Sequence, residues 1–199
     1  MTRGLSPIYQ NGTYLRRNPT WHREDSAAKA DEILDFMKAH AVEPRSICDI
    51  GCGAGGILDH LSRMVAGDVR LCGYEPSDQA FALCPSNRKT NLRFFHRALP
   101  EEGEYFDLVL VIDVVEHVDD YIGFLKALRP TGRQTIFRIP LNVSVQSVLF
   151  KSGPMLGARR DFGHIHYFTR ETALATLYDT GYRVIDLRYS YGPVSPVFL

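Results

Sequence analysis

The hydrophobic positions of this chain change period several times, and each change marks an element. Residues 1–25 have no period: Tyr9, Tyr14, Trp21 and His22 stand among Asn, Gly, Pro and Arg, which reads as an ordered arm without a helix. From Ser26, a good N-cap, Ala30, Ile33, Leu34, Met37 and Ala41 follow the spacing of a helix with one buried face, and Pro44 ends it. Short apolar runs then alternate with helical patterns. Strands are expected at 46–50, 70–75, 92–95, 106–113, 134–139 and 182–189. Helices are expected from about Gly55 and at 78–84, 119–128 and 169–180, the last closed by Gly181. The run FDLVLVID is almost continuously apolar, as a strand covered on both faces would be. Residues 140–168 show little periodicity and read as a long connection on the substrate side.

This alternation predicts an α/β fold. It is Rossmann-like and doubly wound, a mostly parallel sheet of six to seven strands with helices on both faces. Ligands of such sheets bind beyond the carboxyl ends of the strands, so the loops after residues 50, 75, 95, 113 and 139 should line one cleft. The 199 residues suit one domain, 26–199, with the 1–25 arm over the cleft. Tyr191–Leu199 holds two prolines and is expected to give an irregular edge strand, unless part of the C-terminus is missing. An exposed sheet edge would invite a homodimer.

Composition narrows the partners. Lys plus Arg is 23 and Asp plus Glu is 23, so the excess positive charge of most duplex-binding chains is absent and no nucleic-acid partner is expected. No apolar run reaches the ~18 residues of a membrane span, and the N-terminus has no apolar core of a signal peptide. Cys48, Cys52, Cys72 and Cys84 form no CxxC pair. They read as reduced thiols of a cytoplasmic protein.

The first strand runs into Asp49-Ile50-Gly51-Cys52-Gly53-Ala54-Gly55-Gly56. Gly51, Gly53 and Gly56 satisfy G-x-G-x-x-G, and Glu75 follows where a ribose-binding acid belongs, so a nicotinamide dinucleotide site is one reading. Asp49 argues otherwise. A carboxylate beside the turn would repel a diphosphate and attract a ligand bearing an ammonium and a sulfonium. The pattern D-x-G-x-G-x-G resembles motif I of the class I S-adenosylmethionine-dependent methyltransferases. FDLVLVIDVVEHVDD (106–120) and GHIHYFTRETALATL (163–177) are similar to later motifs of the small-molecule and ubiquinone-type members.

The resemblance implies S-adenosyl-L-methionine as cofactor, S-adenosyl-L-homocysteine as product, and O- or N-methylation in biosynthesis, such as secondary-metabolite or sugar tailoring. It also implies roles. Gly51, Cys52, Gly53 and Gly55 would form the loop under the methionine part, with Asp49 near its amino group. Glu75 would accept the ribose hydroxyls and Pro76 would support the adenine. Asp113 and Val114 would close the cleft. Where the family often places an adenine-binding acid, this chain has Arg97, and backbone near Ala98 would take over.

An oxygen or nitrogen nucleophile often needs a base, and His117, His164 and His166 are the candidates, His166 being favoured over His164. Trp21, His22, Tyr167 and Tyr74 would position substrate. Lys151, Arg159 and Arg160 either draw an anionic acceptor or are plain solvated charges. Asp113-x-x-Glu116-His117 with a later histidine also resembles the metal site of small-RNA 2′-O-methyltransferases. The shorter first acid and the neutral charge argue against that, so no metal is expected. A non-catalytic cofactor-binding scaffold is the remaining alternative.

Overall fold

The structure is a computed structural model that describes residues 7–86, 90–149, 153–190 and 195–198. The arm is more ordered than its composition suggests. It carries a short helix, α1 (Thr13–Arg17), between 3-10 turns at Pro7–Tyr9 and Arg23–Asp25, with Tyr9 and Tyr14 buried. The next helix, α2, is Ser26–Ala39. Ser26 is its first helical residue and caps nothing, because its hydroxyl faces Gly56 of the neighbouring helix. The helix stops short of Pro44. Ala41 turns to φ 49°, and Val42 N–H closes on the Met37 carbonyl at 2.8 Å, a Schellman ending without glycine.

Then come β1 (Ser46–Ile50), α3 (Gly56–Met64), β2 (Arg70–Tyr74), α4 (Asp78–Phe81), β3 (Leu92–Phe95) and β4 (Phe106–Ile112). The second half holds α5 (Tyr121–Leu128), β5 (Gly132–Arg138), α6 (Val145–Leu149), α7 (Gly153–Phe162), α8 (Arg170–Asp179), β6 (Leu187–Ser190) and β7 (Ser195–Phe198). The long connection expected at 140–168 thus contains two helices.

The sheet is seven-stranded in the order β3-β2-β1-β4-β5-β7-β6, with parallel pairing from β3 through β5. Strand alternation divides the core in two. Ile47, Leu71, Leu108 and Leu110 meet Ile33, Phe36, Leu58 and Leu61 of α2 and α3. Cys48, Cys72, Val109 and Val111 meet Leu125 and Leu128 of α5 and Ala173 and Leu177 of α8. The tail corrects the expectation of an edge strand. β7 lies between β5 and β6, antiparallel to both, and β6 is the outer strand. Pro196 is tolerated because β5 pairs only with Val197 and Phe198. β6 is shorter than expected because Tyr182 leaves the strand pattern, packing on Phe137 at 4.9 Å and donating its hydroxyl to the Leu125 carbonyl.

Candidate active site

The carboxyl ends of β1, β2, β4 and β5, the arm and α7 enclose a cavity of about 1630 Å³. Single-ligand pockets are typically about 300–1,000 Å³, so this one has room for two molecules side by side. Its wall carries nine acidic side chains against two basic ones. That charge balance suits a cation and opposes a diphosphate.

The glycine loop forms the floor. Gly51 and Gly53 take φ of 69° and 55°, and both are in close contact above. A Cβ at Gly51 would lie 2.7 Å from Val114 Cγ2, and one at Gly53 2.9 Å from Trp21 Cδ1. Glycine is needed for conformation and for space. Val114 therefore closes over the loop from β4, and Trp21 does so from the arm. Cys52 and Gly56 line the cavity, while Gly55 supports the loop as the left-handed residue that starts α3.

Glu75 pins the loop from β2. One carboxylate oxygen accepts the Gly53 N–H at 2.9 Å and the other the Ser77 N–H at 2.7 Å. Burial pushes this acid up to about 7, against the pull of those two donors. An ionised carboxylate has about four acceptor sites, so about two are left for a ligand. Asp49 is buried, and its Oδ2 has no hydrogen-bond partner among the described residues. Burial, then the neighbouring Glu75 charge, pushes it up to about 8. A buried carboxylate without a partner is costly, and a cationic ligand group would satisfy it. Pro76 and Ala98 line the cavity. Arg97 does not: it turns outward to Glu101 and Glu104 and lies over the rings of Phe95 and Tyr74.

Asp113 is less free than expected. Its Oδ2 meets Lys29 Nζ of α2 at 3.0 Å and also binds Arg138 at the end of β5. Desolvation works against ionisation, but these two cations hold the carboxyl below its usual range. Its Oδ1 stays without a hydrogen-bond partner.

The far wall is a cluster. Glu116, His117 and His164 present ligand atoms all within 4.8 Å of one another. His117 Nε2 is 3.7 Å and His164 Nε2 4.0 Å from Glu116 Oε1. Glu116 is fully buried, and neither oxygen has a hydrogen-bond partner among the described residues. Burial, then Asp113, pushes its carboxyl far up, while burial pushes His117 down to about 3 and His164 to about 4. The imidazoles are neutral at physiological pH, with lone pairs available.

Other expected site residues sit elsewhere. The preference between the two later histidines reverses. His164 lines the cavity, whereas His166 donates from Nε2 to the Val118 carbonyl at 2.9 Å and packs on Tyr121. Tyr167 spends its hydroxyl on the His164 carbonyl at 3.1 Å, and buried Tyr74 donates to Glu104. Arg160 pairs with Asp161, Arg159 does not line the cavity, and Lys151 lies outside the described residues. His22 does line it, against Tyr14 and Phe162. Sequence reasoning missed Tyr9, Lys29 and Arg138. Arg138 had a signal, a lone charge in the apolar run TIFRIP; an arm tyrosine had none.

Comparison with known proteins gives the family and the fold. A ubiquinone biosynthesis O-methyltransferase of Rhizobium johnstonii is 35% identical over 108 residues, 49% of this chain and 42% of that protein. One from Parvibaculum lavamentivorans is 28% identical over 181 residues, 81% of this chain and 68% of that protein. The chain spans about two fifths of the length of the first curated relatives it matches. The crystal structure of magnesium protoporphyrin IX methyltransferase from Synechocystis PCC 6803, with bound S-adenosylhomocysteine, superposes with a TM-score of 0.72 at 15% identity, covering 96% of this chain and 97% of that one. It shows the same fold. No helix among the described residues is long and apolar enough to cross a membrane. The profile of the methyltransferase domain family matches residues 21–187, and the chain belongs to that family, as a class I S-adenosylmethionine-dependent methyltransferase.

Proposed function

We propose that the chain methylates an oxygen or nitrogen of a small-molecule acceptor, with His117 next to the reacting atom. The observation that carries this reading is one cavity, large enough for two ligands, lined both by buried acids suited to a cationic donor and by neutral imidazoles. When bound, S-adenosylmethionine supplies a methyl group on a positively charged sulfur. Glu75 offers its remaining lone pairs to the ribose hydroxyls, and Asp49 faces the positive end. Pro76 and Ala98 flank the adenine, and Trp21 and Val114 keep water from the loop. His117 Nε2 accepts the acceptor's proton, and buried Glu116 lies 3.7 Å from that nitrogen. The ubiquinone-type relatives favour a hydroxyl acceptor. The test is transfer of isotopically labelled methyl from S-adenosylmethionine to a panel of phenols, alcohols, amines, thiols and carbon acids. Labelled product only from carbon or sulfur acceptors would refute the proposal.

The acids predict a pH dependence. Asp49 at about 8 and Glu75 at about 7 hold protons that the unfolded chain gives up near pH 4. Between pH 4 and those values the native state binds more protons than the unfolded state, so ligand-free stability falls as pH rises. A cationic ligand needs the ionised forms. Its affinity should therefore fall by up to about tenfold per pH unit, for each proton displaced, on going from pH 8 to pH 6. Melting curves with and without S-adenosylmethionine across that range read both slopes. A ligand-induced shift independent of pH would show that neither acid meets the cation.

A second reading has its own observation, the two unpartnered oxygens of buried Glu116 facing two neutral imidazoles. A borderline divalent cation accepts such a donor set. Dialysis against a chelator decides. Methyl transfer that is lost, then restored by magnesium, manganese or zinc, establishes the ion. Unchanged transfer leaves His117 as the base.

A further inference from the structure

We propose that Tyr9, on the N-terminal arm, is a positioning residue that locks His117 in its Nδ1-protonated tautomer and so turns the bare Nε2 toward the cavity. The inference rests on the placement of His117 beside the acceptor.

The argument is donor accounting. Tyr9 Oη is 2.6 Å from the Phe162 carbonyl and 2.8 Å from His117 Nδ1. A carbonyl only accepts, so the one phenolic hydrogen goes to Phe162. The Tyr9 oxygen is then an acceptor toward Nδ1, which must carry the imidazole hydrogen. The Gly163 carbonyl, 3.3 Å from the same Nδ1, makes the same demand. A neutral imidazole has one N–H, so Nε2 is left with its lone pair, facing Glu116 and His164.

The surroundings are built for this contact. Gly163 has φ 79°, and a Cβ there would lie 2.7 Å from Tyr9 Oη, so a larger residue would displace the hydroxyl. The Tyr9 ring packs between Tyr14 at 4.8 Å and Trp21 at 6.1 Å, and meets His117 edge-on at 5.6 Å. Its carbonyl accepts the Ser77 hydroxyl at 3.1 Å, and Ser77 N–H is held by Glu75. One arm residue therefore joins the acid at the donor end of the cavity to the histidine at the acceptor end. The arm is part of the acceptor chemistry as well as a cover.

The test is long-range proton–nitrogen NMR of the full chain labelled with ¹⁵N-histidine, with His117 assigned through His117→Gln. Wild type should show a protonated Nδ1 and a bare Nε2. Tyr9→Phe keeps the ring packing, and its melting point and S-adenosylhomocysteine affinity check the fold. In it the Nε2-protonated tautomer should appear, and kcat should fall by about tenfold or more with KM for S-adenosylmethionine unchanged. In a His117→Ala background the same change should cost nothing further. A wild-type His117 protonated at Nε2, or a Tyr9→Phe chain with an unaltered tautomer, overturns the proposal. The NMR readout needs no acceptor, so failure to find one would count against the function proposed above and not against this role of Tyr9.

Discussion

Glu75→Ala should weaken S-adenosylhomocysteine binding by more than about a hundredfold in a calorimetric titration, because hydrogen bonds to a charged group contribute about 1.5–3 kcal/mol each. Two losses combine. The ribose hydroxyls lose their acceptor, and the Gly53 and Ser77 N–H groups lose the carboxylate that fixes the loop. The second loss is structural as well as chemical, since Gly53 in its left-handed conformation is held between Glu75 and Trp21. Glu75→Gln separates the two. Its amide keeps one acceptor but sets an NH2 against a backbone N–H, so an intermediate loss is expected. The fold itself should suffer little. The buried carboxylate carries a desolvation cost that its removal relieves, and the melting point of the ligand-free chain should stay close to wild type. A Glu75→Ala chain that binds S-adenosylhomocysteine within about threefold of wild type would place the ribose elsewhere.

The sequence exposed the scaffold because the scaffold is local. Period-two and period-3.6 patterns placed β1 and β3 to the residue, and the other parallel strands to within two residues. The glycine loop and Glu75 were legible for the same reason, since a turn and a strand end fix what they face. The parts that failed depend on distant partners. β7 cannot be read as an interior strand from YGPVSPVFL, because its place comes from pairing with β5 and β6. Val145–Leu149 and Gly153–Phe162 form helices without clean amphipathicity; Val145, Leu149 and Leu156 are exposed.

His164 and His166 show the limit most clearly. Alternation in an extended segment put both imidazoles on one side. The backbone instead hooks both the Ile165 and His166 N–H groups onto the Glu116 carbonyl, which turns His166 out against Tyr121. Asp113 is similar. Its identity was readable, but its pairing with Lys29 and Arg138 joins three elements that are far apart in the chain.

His117→Ala should lower kcat for an oxygen or nitrogen acceptor by about 10²–10⁴, the range of a lost general base, and leave affinity for S-adenosylmethionine within about threefold. His164→Ala should cost less. Both rings approach Glu116, but His117 alone has its tautomer fixed by side-chain and backbone contacts, whereas His164 Nδ1 has no hydrogen-bond partner among the described residues. The electrostatics make this prediction specific. An imidazole held at about 3 is a weak base by itself, so the proton it takes must be stabilised as it arrives. Glu116 is placed to do so, 3.7 Å from Nε2. Its own carboxyl is pushed far up by burial and by Asp113, so Glu116 can steady the imidazolium only after it has itself ionised. Glu116→Gln should therefore lower kcat nearly as far as His117→Ala, and the double variant should add little. The pH profile follows from the same values. His117 and His164 are already neutral above about pH 4, so kcat should have no acid limb near 6.5. A limb at 6.5 that survives His117→Ala would assign proton transfer to an exposed histidine outside this cluster and leave Glu116, His117 and His164 with a structural role.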